Sequence, residues 1–259
     1  MQDPQATPLH PMLRKLQLWA ELGPDEQQAV LALPHKVEEV NANKYIVREG
    51  DRPAHSCLLV AGFAFRHKVL VDGSRSIVAV HMKGDIVDLQ NSLLGTADHS
   101  VQTLTQAEVA FIPREAIVQL ANDWPRVGLA MWYDTLVDGS IFREWIANVA
   151  RRDACARLAH LLCEFALRLE ALGLGERESY ELPMTQDQLA DALGLTPVHV
   201  NRTLMELEAR QLITRTRRFV AIADWKRLAQ AGGFNDTYLH LPDPETLLPG
   251  RPIGPTIRD

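Results

Sequence analysis

The chain has 259 residues, 46% of them hydrophobic, with a formal net charge of −6. It is long enough for two domains with real cores and too apolar to be disordered. The longest apolar run, "CLLVAGFAF", is interrupted at Gly62 and falls far short of the ~18 residues a membrane span requires. The opening "MQDPQATPLH" lacks the basic-then-apolar pattern of a signal peptide, so a soluble cytoplasmic protein without membrane contact is expected. Cys57, Cys155 and Cys163 show no CxxC spacing, which points to neither a disulfide framework nor a structural zinc site.

The first stretch, to about residue 35, reads as short helices, "PMLRKLQLWAEL" and "GPDEQQAVLAL", with Pro24 suited to a first helical position. From Val37 to Pro113 short apolar runs alternate with turn signals. Asp72-Gly73 between two β-rich runs marks a hairpin, and the spacing of the runs predicts an antiparallel β-domain. After Arg114 the pattern becomes helical. A long helix is predicted from about Trp124 to Val149, with Leu129, Trp132, Leu136, Ile141 and Trp145 on one stripe and Val137, Phe142 and Ile146 on the next. An apolar face this broad exceeds what the β-domain covers, so these residues are expected to form a dimer interface, the alternative being a helix packed inside its own chain. "ARLAHLLCEFALRLEALGLG" is a further amphipathic helix, stopped by glycines 173 and 175.

Thr185 with Gln188 three residues on forms a capping box that starts "QDQLADAL". Gly194 ends that helix where a tight turn needs a permissive backbone. Thr196 caps the next helix, with Pro197 at its first position, and this helix runs to about Gln211. Leu189, Leu193, Leu195, Val200 and Leu204 can fill one small core between the two, which is helix-turn-helix chemistry. "LITRTRRFVAIAD" follows as two short β runs around Arg217-Arg218, a basic wing. Between Thr196 and Arg227 the local charge is +4, leaving −10 for the remainder. A basic patch on an acidic protein steers DNA to one surface.

With this order of parts the sequence resembles the Crp/Fnr family of bacterial transcription regulators. The resemblance implies an α+β chain with a cyclic-nucleotide-binding-like β-roll (residues 1–122), a dimerisation helix (123–150), a winged helix-turn-helix (151–230) and a C-terminal tail (231–259). It implies a homodimer that binds a palindromic operator in double-stranded DNA and touches RNA polymerase. The turns Gly50-Asp51 and Gly84-Asp85 stand where the family's β-roll places such glycines. The family commonly has an Arg-Glu pair at the second and third positions after the cap of its reading helix; here those are Pro197 and Val198. Readout is therefore expected to fall to His199, Asn201 and above all Arg202, which matches the family's guanine-reading arginine, with Val198 open only to an apolar contact. Arg215, Arg217 and Arg218 are expected on phosphates, and Thr185 and Thr196 complete the DNA-facing set.

Departures from the family matter equally. Its cyclic AMP-binding members carry a Gly-Glu pair for the ribose and an Arg-Ser pair for the phosphate; here the corresponding pairs are Asp88-Leu89 and His99-Ser100. A cyclic phosphate needs a fixed cation, and Asp88 brings a negative charge instead, so cyclic AMP is not the expected effector. The expected pocket is Asp88, Gln90, His99 and Ser100, with the effector unassigned. The oxygen-sensing branch holds an iron-sulfur cluster on four cysteines, more than the three widely spaced ones here provide. His67 and His81 on neighbouring predicted strands invite a metal or haem reading, but the His-x-His spacing of a metal-binding cupin is missing. No catalytic grouping is found, so an enzyme is not expected. Two alternatives stay open: a helix-turn-helix that binds only protein, with Arg202 pairing Glu206 one turn away, and a ligand- or metal-binding β-roll with no DNA target. The tail, with five prolines from Pro242 onward, reads as a partly extended appendage, the alternative being that Tyr238 to Leu241 docks on a neighbouring surface.

Overall fold

The computed structural model describes residues 7–242; the prolines from Pro244 onward lie outside that range. The described residues fall into two compact units. The first contains residues up to Arg66, Val80–Asp138 and the two residues after His240; the second contains His67–Ala79 and Gly139–His240. None of the described helices is long and apolar enough to cross a membrane.

The first unit opens with two short helices, α1 (His10–Gln17) and α2 (Pro24–Leu31). Pro24 does start α2, and the Glu26 carboxylate accepts from the Gly23 N–H at 2.7 Å, satisfying a donor that the helix start leaves open. Met12, Leu13 and Leu16 line the buried face of α1. The β-domain is built from β1 (Lys36–Val40), β2 (Tyr45–Val47), β3 (His55–Ala61), β4 (Ala64–Val69), β5 (Arg75–His81), β6 (Ser100–Thr103) and β7 (Ala107–Pro113). They form two sheets, ordered β1-β7-β3 and β2-β6-β4-β5. Apolar side chains from several strands, among them Val47, Leu59, Ala64, Val101 and Val109, close the core between them. The hairpin joining β4 to β5 turns at Asp72-Gly73, where the Asp72 carboxylate accepts from the Ser74 N–H and hydroxyl at 2.9 and 2.6 Å. A one-turn helix, α3 (Asn91–Leu94), interrupts the path between β5 and β6.

After α4 (Arg114–Asp123) comes α5 (Pro125–Arg151), 27 residues long. Its apolar residues divide into two sets. Val127, Ala130, Met131 and Val137 are buried within the chain, while Leu129, Trp132, Leu136 and Ile146 are each more than half exposed. The interface expected from sequence needs one correction here. Ile141 and Trp145 are both only 7% exposed, and the Trp145 indole N–H is committed to Glu164 at 3.0 and 3.1 Å. Neither has surface left to offer a second copy.

In the second unit α6 (Ala154–Ala171) is capped by Asp153, which accepts from the Ala156 N–H at 2.9 Å. The wing is a sheet of three strands: β8 (Ser179–Glu181), which the sequence reading missed, pairs antiparallel with β10 (Phe219–Ile222), which pairs in turn with β9 (Ile213–Thr216). Tyr180, at the centre of β8, is fully buried and donates its hydroxyl to the Leu162 carbonyl at 2.7 Å. Between β8 and β9 lie α7 (Gln186–Leu193) and α8 (Pro197–Ala209). After α9 (Trp225–Gly232) the residues up to Pro242 pack rather than continue as an extended appendage. The segment forms a 3-10 turn over Asp236–Leu239, with Leu239 1% exposed, and the Phe234 and Tyr238 rings pack on His160 of α6.

Candidate nucleic-acid interface

The pair α7 and α8 is assembled by local chemistry. The Thr185 hydroxyl accepts from the Gln188 N–H at 3.2 Å and the Gln188 side chain accepts from the Thr185 N–H at 2.8 Å, a reciprocal cap. Gly194 sits at φ +63°, a left-handed conformation that a residue with Cβ adopts at a cost. Two residues later Thr196 caps α8 by accepting from the His199 N–H at 3.2 Å, with Pro197 in the first position. Val200, Leu204 and Leu207 are buried and anchor α8. Thr203, also buried, donates back to the His199 carbonyl at 2.9 Å and so leaves no hydroxyl unmatched.

Val198, His199, Asn201 and Arg202 form the exposed flank of the first turns of α8. Arg202 does not pair with Glu206; that carboxylate faces Arg210 at 3.5 Å. Among the described residues the Arg202 guanidinium has no hydrogen-bond or ion-pair partner. Asn201 is different: its amide donates to Gln186 on α7 at 3.2 Å, so it ties the two helices together at the edge of the exposed flank.

The basic residues of the wing also divide by role. Arg215 forms a fork with Glu208 of α8, at 3.0 and 2.8 Å, and this hydrogen bond holds the Glu208 carboxyl below its usual pKa. Arg217 and Arg218 form the turn between β9 and β10 and are exposed, Arg217 at φ +56°. With Thr185, Gln186 and Phe219 these arginines line a groove of about 250 Å³. Arg217→Ala is expected to weaken binding to all DNA sequences alike and to make the dependence of log K on log[salt] shallower by about one unit. Titrations at several salt concentrations check this; an altered sequence preference with an unchanged slope assigns Arg217 to base readout.

In the β-domain Asp88, His99 and Ser100 are buried and Gln90 is partly so, and each has its own partners. Gln90 Nε2 lies 3.2 Å from His99 Nε2, and the Ser100 hydroxyl accepts from the Glu49 N–H at 3.0 Å. Burial lowers the His99 pKa to about 4. Asp88 is fully buried; it accepts from the Cys57 N–H at 2.7 Å through Oδ1, and its Oδ2 has no hydrogen-bond partner. Burial pushes the Asp88 pKa up to about 6. A carboxyl whose folded-state pKa lies above its unfolded value penalises folding above the folded pKa and ceases to do so below the unfolded one. Asp88→Asn is therefore expected to raise stability by about 3 kcal/mol at pH 8, with the gain shrinking as pH falls through 6 toward 4. Thermal melts across that range measure it; a gain independent of pH contradicts the assignment. His67 and His81 are both buried, with His81 Nδ1 3.5 Å from Asp85, and no group of three metal-ligating side chains occurs among the described residues.

An antiparallel β-domain, a long helix and a capped helix pair flanked by a basic wing define the class of proteins that join a β-roll to a winged helix-turn-helix. Comparison with known proteins agrees. Residues 37–123 match the cyclic nucleotide-binding domain and residues 156–231 the Crp-like helix-turn-helix domain. The chain is 27% identical to the transcriptional activator protein FnrL of Cereibacter sphaeroides over 212 residues, covering 80% of this chain and 85% of FnrL. It is 27% identical to the transcriptional activatory protein AadR of Rhodopseudomonas palustris, covering 84% and 90%. The solved structure of FixK2 from Bradyrhizobium japonicum superposes with a TM-score of 0.70 at 22% identity, over 77% of this chain and 98% of FixK2. The chain belongs to the Crp/Fnr family of DNA-binding transcriptional regulators.

Proposed function

We propose that the protein acts in the cytoplasm as a homodimer, joined through the exposed face of α5, that reads a palindromic operator with α8 and meets RNA polymerase there, without enzymatic activity. The working division is a sensor over residues 1–122, a dimerisation helix over 123–150, a DNA-binding domain over 151–230 and a tail over 231–259. The observation that carries this reading is the exposed flank at the start of α8, His199, Asn201 and Arg202, beside the exposed Arg217 and Arg218 of the wing. Cations there meet phosphates and an arginine meets a base edge. Selection of bound fragments from a random DNA pool tests it: two inverted half-sites with centres ~34 Å apart along the duplex are expected, and no enrichment in any condition favours a protein-binding module.

The effector is a molecule other than cyclic AMP. The Asp88 carboxyl is buried where relatives that bind cyclic AMP place the sugar-contacting pair, and His99 replaces the phosphate-gripping arginine. Titration calorimetry is expected to show no stoichiometric micromolar binding of cyclic AMP and no effect of it on operator affinity; either one overturns the proposal.

A further inference from the structure

The segment after α9 crosses the elbow where α5 gives way to α6. α5 ends at Arg151 and α6 begins at Ala154. Gly233 to His240 touches both sides of that break. On α6, the Tyr238 hydroxyl donates to Glu164 Oε2 at 2.8 Å and lies 3.1 Å from His160 Nε2. The Tyr238 ring stacks on the His160 ring with centroids 5.7 Å apart and planes 16° from parallel, and Phe234 meets His160 edge-on at 5.1 Å. On α5, His240 Nε2 lies 3.3 Å from the Ser140 hydroxyl. At the break itself, Arg152 donates to the Gly233 carbonyl at 3.2 Å and to Glu144 of α5 at 2.7 Å.

The centre of this arrangement is Glu164, fully buried. Its two oxygens accept from Trp145 of α5, from Arg168 of its own helix at 3.4 Å and from Tyr238 of the C-terminal segment. A buried carboxylate is tolerated when its lone pairs are met, and removing one donor leaves the rest of the network underserved. One carboxylate thus joins α5, α6 and the C-terminal segment, beside a direct link in which the Asn148 amide of α5 donates to the Arg157 carbonyl of α6 at 3.2 Å. The approach is close as well: a Cβ on Gly232 would stand 2.6 Å from the His160 backbone nitrogen and 3.0 Å from the Ala159 carbonyl carbon, so the end of α9 rests on the backbone of α6.

We propose that Gly233–His240 is a brace that fixes the angle between α5 and α6, so that the DNA-reading helix is held at a set position relative to the dimerisation helix by a segment remote from it in sequence. The proposal rests on the reading of α5 as the dimer helix and α8 as the reader. A fixed elbow imposes one separation on the two half-sites; a loosened one spreads that separation and adds an ordering cost to binding.

The test uses the full chain with Tyr238→Ala and Tyr238→Phe, the second keeping the ring and removing only the hydroxyl. Hydrogen–deuterium exchange is followed over 139–164 and, separately, over α7 and α8. Affinity is measured for the selected operator and for versions with the half-sites one base pair closer or further apart. Tyr238→Ala is expected to speed exchange over 139–164 while leaving α7 and α8 unchanged, to weaken operator binding about tenfold and to flatten the spacing preference. Tyr238→Phe should shift each quantity in the same direction by less. Unchanged exchange over 139–164 in both variants overturns the brace, as does faster exchange spread evenly over the whole unit, which marks plain destabilisation. If Tyr238→Ala does not fold, Tyr238→Phe alone decides by the same exchange criterion. If the wild-type protein shows no spacing preference, the palindromic reading fails, while exchange in the variants still decides the brace.

Discussion

Leu136→Asp is expected to give a folded monomer that no longer holds its operator. Leu136 is 54% exposed near the middle of α5, and Leu129 (56%), Trp132 (63%) and Ile146 (66%) share the surface. Positions 129, 132 and 136 follow the three-four spacing of a helix seam, so a second copy of α5 can cover them together. An aspartate at 136 places two carboxylates against each other at the symmetry axis of that seam, where each loses water and gains a like charge. Because position 136 is already solvated within one chain, the fold of the monomer loses little. Two linked half-sites bind with an advantage on the order of 10²–10⁴ over one, and this advantage disappears with the dimer. Sedimentation velocity reports the mass and an electrophoretic shift the affinity; a dimer of undiminished stability places the interface elsewhere.

The second large effect is expected at Arg202. Arg202→Ala should leave folding and dimerisation intact, since the side chain is exposed and has no hydrogen-bond or ion-pair partner among the described residues. A bidentate arginine–guanine contact is worth roughly 1–3 kcal/mol of discrimination. Binding selections with the variant are therefore expected to return the same palindrome with one symmetric guanine in each half-site relaxed. An unchanged motif at unchanged stringency means that α8 does not present Arg202 to the base edges.

The helix-turn-helix was legible in the sequence because its stops and starts are local chemistry. Thr185 with Gln188, Gly194, and Thr196 with Pro197 each act within four residues, and the structure forms both caps and the left-handed turn at those positions. The β4–β5 hairpin was legible for the same reason, through Asp72-Gly73. What escaped depends on partners distant in the chain. α5 carries apolar residues on most of its circumference, so periodicity alone does not say which stripe its own chain covers; Trp145 turns inward because Glu164 waits for its N–H. Strand β8 is three residues long, too short for an alternation to register, and is held by pairing with β10. The docking of Tyr238 on His160 and Glu164 joins residues more than 70 apart in sequence. Asn201 and Arg215 were recognised as polar and basic residues near the DNA face, but the sequence did not reveal that Gln186 and Glu208 engage them.

The fork between Arg215 and Glu208 makes the wing and the reading helix one solid piece, and this bears on the time course of DNA capture. A wing that had to settle after contact would contribute chiefly to retention, slowing departure while leaving arrival unaffected. One already fastened to α8 presents Arg217 and Arg218 at the first collision, when phosphates exert their longest-range pull. Where these two arginines meet phosphates as proposed, encounter and grip draw on the same two charges, and the rate of arrival is expected to be as sensitive to salt at the wing as the lifetime of the bound state.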